Sequence, residues 1–180
     1  EHETINKVFI FPNMGDGGLS VGGVYNYLFR NDSLKLASPT ENVYWGSNPS
    51  HPSYNFEKKV EAINLESEMI YKELAKLLAD GSIVGVCIGE LEFGPRALCH
   101  RSILANPFNK SINTTLNNRL NRTEFMPFAP VVLENLANEI FHLEKFSNLE
   151  PFLFMTMACK VRESWASKIP AAVQIGRAHV

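Results

Sequence analysis

Gly89 to Pro107, GELEFGPRALCHRSILANP, is the stretch on which the fold turns. A run of apolar β-formers, Ile83 to Ile88, leads straight into it. Two acids follow, Glu90 and Glu92, then a Gly94-Pro95 break, then Arg96 and Arg101 five residues apart, with a hydroxyl at Ser102. A strand, a glycine-containing loop and a basic loop in that order is an arrangement by which α/β proteins hold anionic ligands. Guanidinium suits a phosphate or carboxylate because its fork donates two parallel hydrogen bonds. The same residues also suit a surface ion-pair cluster.

Working outward, Phe56 to Asp80 predicts a helix, with Val60, Ile63, Ile70, Leu74, Leu77 and Leu78 at helical spacing and Gly81 as its stop. Ser82 to Gly89 predicts a strand, which places the arginines at a strand's C-terminal end. Asn6 to Phe11 predicts a buried strand, Pro12 to Gly18 a turn cluster, and Leu19 to Phe29 a helix. Asp16 in that turn is either a structural aspartate or a metal ligand. Ala37 to Tyr54 is rich in Ser, Pro and Asn and reads as a linker. Ser111 to Asn121 predicts a helix leading into RTEFMPFAP, Arg122 to Pro130, where Phe125 and Phe128 read as core. Val131 to Leu133 predicts a short strand, Glu134 to Phe141 a helix, and Phe152 to Val161 a strand by alternation.

Composition bounds the function. The chain has 180 residues, 45% of them hydrophobic, and a formal net charge of -2. That balance argues against broad nucleic-acid binding. No apolar run is long enough for a membrane span. Cys87, Cys99 and Cys159 lie far apart with no CxxC spacing, which reads as free thiols in a reducing cytosol rather than a zinc site.

The arginine stretch resembles the EFGPRALGNRSILADP block of carbamoyltransferases of the NodU and CmcH type. Glu92 to Leu98 match, as do Arg101 to Ala105 and Pro107. PNMGDGGLSVGG, from Pro12, resembles the P-x-x-GD-x-GLA-x-GAA segment that closes the family's actin-like domain. Arg122 to Pro130, with Asn117 before it, resembles the family's N-x-x-x-K-x-R-E-x-F-R-P-F-A-P segment. Leu120 stands where many members carry lysine, and Met126 where many carry arginine. The family's later ipAvtH and DGTARVQ segments are followed less closely, since Gln174 replaces a histidine and the chain ends IGRAHV.

The resemblance implies an α/β fold: a YrdC-like twisted mixed sheet with helices over 56–174, preceded by a remnant of an actin-like domain over 1–36 and a linker over 37–55. Residues 175–180 read as a foreign or truncated tail. It implies an O-carbamoyltransferase that makes carbamoyl adenylate from carbamoyl phosphate and ATP. The carbamoyl group then passes to a small-molecule hydroxyl of the nodulation-factor, sugar or antibiotic class. Arg96, Arg101 and Ser102 would serve catalysis, and with Arg122 would hold the phosphates. Glu92 would orient an arginine. Asp16 would ligate an active-site iron whose histidine ligands lie upstream of Glu1, so the chain reads as a fragment that does not transfer carbamoyl by itself. A cytoplasmic location, no nucleic-acid or membrane partner, and an open option of homodimerisation complete the expectation. The rival is a nucleotide-binding or regulatory module without catalysis, which the loss of the lysine at Leu120 favours.

Overall fold

The computed structural model describes residues 9–31, 42–48, 63, 65–124, 126–146, 148–173 and 177–179. The chain divides into two units. The first comprises Glu1–Val43, Phe93–Arg96 and Pro107–Val180, and the second Tyr44–Glu92 and Ala97–Asn106.

The first unit holds the core. Ala137 and Ile140, three residues apart, lie on one face of α4 (Glu134–Ile140) and are buried. They pack with Phe141, Leu143, Phe152, Cys159, Val161, Ile169 and Ala172. Phe141 is wholly enclosed and forms an antiparallel bridge with Val161. His142 N–H donates to the Lys160 carbonyl and Arg162 N–H to that of Ile140. The chain after α4 is therefore stitched to β3 (Ala158–Lys160). A short α5 (Glu150–Leu153) precedes β3 and α6 (Glu163–Ala166) follows it. The predicted strand over Phe152–Val161 is thus realised only at its end. Pro151 suits the first turn of a helix. The Thr156 hydroxyl then donates to the Pro151 carbonyl at 2.8 Å, and Met155 turns the chain at φ 54°. No strand forms over Val131–Leu133. The final residues, to which no role was expected, contribute β4 (Arg177–His179), antiparallel to β3 with Cys159 opposite Ala178.

The same unit carries the first motif. Asp16–Gly18 forms one 3-10 turn that runs into α1 (Leu19–Arg30), close to the predicted helix. Phe9 to Phe11 are not in a strand, and the rest of the strand expected from Asn6 lies outside the described residues.

The second unit is a helix on a two-stranded sheet. α2 (Ser67–Ala79) begins eleven residues later than Phe56, where the helix was expected to start, and Ile63, Leu65 and Glu66 are not helical. Gly81, at φ 85°, ends it as the sequence suggested. α2 packs against β1 (Val84–Cys87). β1 pairs antiparallel with β2 (Arg101–Leu104), with Val84 opposite Leu104 and Cys87 opposite Arg101. The expected mixed sheet is, among the described residues, two antiparallel pairs. Arg101 and Ser102 consequently open a strand instead of sitting in the basic loop. Among the described residues no helix is long and apolar enough to cross a membrane.

Candidate functional site

The excursion between β1 and β2 is organised by one carboxylate. Glu92 has no solvent exposure at its side chain. Its Oε1 accepts from the backbone N–H groups of Leu98 at 2.7 Å, His100 at 2.8 Å and Arg101 at 3.2 Å. Its Oε2 accepts from Arg101 Nε at 3.1 Å, while Arg101 Nη2 donates to the Glu92 carbonyl at 3.2 Å. Burial opposes ionisation of this carboxyl, but the converging backbone N–H groups outweigh it and hold it down to about 2. Glu92 is therefore a fixed anion that orients an arginine, as the sequence suggested. The three backbone donors that converge on it were not legible there.

Around this anchor the loop is stiffened from several sides. The Ser102 hydroxyl accepts from the Cys99 N–H at 2.9 Å, which leaves its own proton to donate. The Tyr44 ring stacks on His100 with centroids 3.8 Å apart and planes at 14°. Tyr44 Oη donates to the Leu98 carbonyl at 3.1 Å. His100 Nδ1 lies 2.5 Å from the Glu90 carbonyl. Gly89, at φ 60°, gives the ring room: a Cβ there would stand 3.2 Å from the imidazole. Arg101 remains 42% exposed at its side chain.

The other expected cations belong to the first unit. Arg96 is exposed and has no hydrogen-bond or ion-pair partner among the described residues. Arg122 leaves α3 (Ser111–Arg119) through a left-handed Asn121, φ 50°, with its N–H donating to the Asn117 carbonyl at 3.1 Å. Asn117 is buried and clamps the loop beyond. Its Nδ2 donates to the Met126 carbonyl and its Oδ1 accepts from the Met126 N–H, both at 3.2 Å. The Arg122 guanidinium lies 5.0 Å from the centre of the Phe128 ring. Phe128 is half-buried and carries a cation, so it is not the core residue the sequence suggested; Phe125 lies outside the described residues.

Asp16 is exposed at the start of the 3-10 turn. Among the described residues no three His, Cys, Asp or Glu side chains are grouped to hold a metal. One carboxylate leaves most coordination positions to water. The described residues do not by themselves make an iron site.

Residues 75–178 match the family model described as Carbamoyltransferase C-terminus. The chain belongs to that carbamoyltransferase family. It is 40% identical over 171 residues to nodulation protein U of Bradyrhizobium diazoefficiens, covering 94% of this chain and 28% of that protein. It is 36% identical over 170 residues to nodulation protein U of Azorhizobium caulinodans, covering 93% and 28%. It is 33% identical over 181 residues to nodulation protein NolNO of Sinorhizobium fredii, covering 93% and 25%. The chain thus spans between a quarter and a third of the length of these family members.

Proposed function

We propose that the chain carries the anion-binding loop of an O-carbamoyltransferase. The enzyme would form carbamoyl adenylate from carbamoyl phosphate and ATP and pass the carbamoyl group to a hydroxyl of a sugar-like or antibiotic acceptor, nodulation factors among them. The observation that carries this reading is the sealed Glu92 carboxylate, which holds Arg101 and the turn into Ser102 in one geometry. A donor set fixed before the ligand arrives stabilises developing phosphate charge without reorganising during the reaction. In this reading Ser102 donates to a phosphate or carbamate oxygen, and Arg96 and Arg101 neutralise phosphate charge. Arg122, supported on Phe128, meets the nucleotide phosphates. Several relatives are named nodulation proteins, which fits nodulation factors among the acceptors.

The test is pyrophosphate release by the purified protein at its full length, with ATP and with or without carbamoyl phosphate. Release that depends on carbamoyl phosphate supports the enzyme. Leu120, in the place of the family's lysine, favours a second reading as a nucleotide-binding regulatory module. That reading predicts ATP binding by calorimetry with no pyrophosphate release.

A further inference from the structure

In the first unit two glycine-containing loops meet at a single buried side chain, Asn13. Asn13 is 9% exposed. A Cβ on Gly17 would stand 2.7 Å from Asn13 Nδ2, and one on Gly18 would run into the Asn13 carbonyl oxygen. On its other side, Asn13 Cβ lies 3.5 Å from the place of a Cβ on Gly94, which has φ 109°. Phe11 and Phe93 continue the contact with ring centroids 6.2 Å apart. The loop of the PNMGDGG motif and the Gly94-Pro95-Arg96 segment are therefore packed on one another through Asn13.

What packing does not explain is the carboxamide. Neither Nδ2 nor Oδ1 of Asn13 has a hydrogen-bond partner among the described residues. The fully enclosed polar side-chain atom without a partner among those residues is Asn113 Oδ1, so the amide of Asn13 still reaches solvent. Something beyond the described residues must complete its two groups. Water can do so, and so can a ligand offering one acceptor and one donor side by side. Arg96, two residues beyond Gly94, is a second group with no partner among the described residues.

We propose that Asn13 is a specificity residue that recognises the carbamoyl group itself, beside an anionic moiety met by Arg96. A carbamoyl group, H2N–C(=O)–O, presents the complement of a carboxamide. Its carbonyl accepts from Asn13 Nδ2 and its amino group donates to Asn13 Oδ1, giving two parallel hydrogen bonds. An acetyl group has the carbonyl but a methyl in place of the amino group, and leaves Oδ1 unpaired. A site built to hydrogen-bond a substrate N–H rejects the analogue that lacks it far more strongly than a size-based pocket could. Glycine at positions 17 and 18 follows, since a side chain there would push Asn13 out of place.

This inference rests on the reading under Proposed function, and its test separates the two. Pyrophosphate release from ATP is measured on the full-length protein with carbamoyl phosphate and with acetyl phosphate. The wild-type protein is expected to favour carbamoyl phosphate by at least about 100-fold in kcat/KM. Asn13→Leu, of similar size with no polar atoms, is expected to bring that ratio below about 10-fold with the KM for ATP unchanged. Asn13→Asp, nearly isosteric and unable to donate as a carboxylate, is expected to lower it likewise and serves if the leucine variant does not fold. A ratio within threefold of wild type in a variant that still turns over overturns the role of Asn13 alone. No carbamoyl-phosphate-dependent release by the wild-type protein overturns the functional reading and this inference with it.

Discussion

Arg101 Nε donates to Glu92 Oε2 at 3.1 Å across a loop that also directs three backbone N–H groups at the same carboxylate. The pair is unequal. Glu92 is sealed while Arg101 is 42% exposed, so the anion is held by the fold and the cation is held by the anion. Such a pair contributes to stability through the carboxylate's partners more than through Coulomb attraction at the half-open guanidinium.

The acid stability of the protein should report this carboxylate. The folded value of Glu92 lies at about 2, below its ordinary 4.5. A depressed carboxyl contributes stability that is complete above the unfolded value and is lost as pH falls through the folded one. Wild-type stability attributable to Glu92 should therefore hold above pH 4.5 and decline toward pH 2. Glu92→Gln should be less stable at neutral pH by about 2–4 kcal/mol and show a shallower acid limb. Denaturant midpoints across pH measure both. A wild-type-to-variant difference that stays constant into the acid limb contradicts the assignment.

Cys99 sits at φ 74°, where a side chain is strained. Relief of a left-handed non-glycine residue is worth about 1–2 kcal/mol, and glycine returns about 0.5–1 kcal/mol to the unfolded chain. Cys99→Gly should therefore stabilise the protein by up to about 1.5 kcal/mol, the difference of those two terms. Equilibrium denaturation would show it, and a destabilised variant would mean that the thiol's packing outweighs the strain.

The three thiols should alkylate in a fixed order. Cys87 is exposed. The Cys99 thiol is pushed up by its burial and by the Glu92 charge. Burial alone pushes that of Cys159 up to about 11. Thiolate is the reactive form, so iodoacetamide labelling followed by mass spectrometry should modify Cys87 first and Cys159 last. Early labelling of Cys159 in the native state would show that its part of the core opens.

Asn117 and Arg122 were both visible as matches to a family segment, yet only the arginine suggested a role. The function of Asn117 is tertiary: its carboxamide pairs with both backbone groups of Met126, nine residues on. Asn117→Leu leaves those two groups without their partner and should cost about 1–3 kcal/mol. It should also loosen the Arg122 loop. Faster amide exchange over residues 122–128, with α3 itself still protected, checks this; unchanged exchange in that loop would remove the clamp.

What was legible followed from pattern length. Ile83 to Ile88 is apolar and β-rich enough to announce β1, and α1 and α3 show helical spacing. β2 was missed because RSIL is four residues with a charge at its head, and only its register against β1 makes it a strand. The alternation after Phe152 misled because Pro151 and Met155 redirect the backbone within five residues. At the end of the chain Arg177–His179 form β4, three residues that are too few to show an alternation. The glycine that Cys99 replaces in the resembled block falls where the backbone is left-handed, a signal present in the sequence. The convergence of Leu98, His100 and Arg101 on Glu92 had no such signal, since spacings of six to nine residues in a loop show no direction.

Arg96 and Arg101 should separate into different kinds of residue on mutation. Arg96 is exposed without a partner among the described residues, so Arg96→Ala removes nothing that the fold uses. Its loss should leave the denaturation midpoint within about 0.5 kcal/mol of wild type. If it meets a phosphate, the missing charge-assisted contact costs about 1.5–3 kcal/mol, which is about a 10- to 150-fold fall in kcat/KM for carbamoyl-phosphate-dependent pyrophosphate release. Arg101→Ala removes a partner of a sealed carboxylate and should lower both stability and turnover. Arg101→Lys should restore part of the stability but not the forked geometry. Measured on the full-length protein, turnover of Arg96→Ala within twofold of wild type would exclude Arg96 from the anion site. An unchanged midpoint in Arg101→Ala would show that the backbone N–H groups alone suffice to hold Glu92.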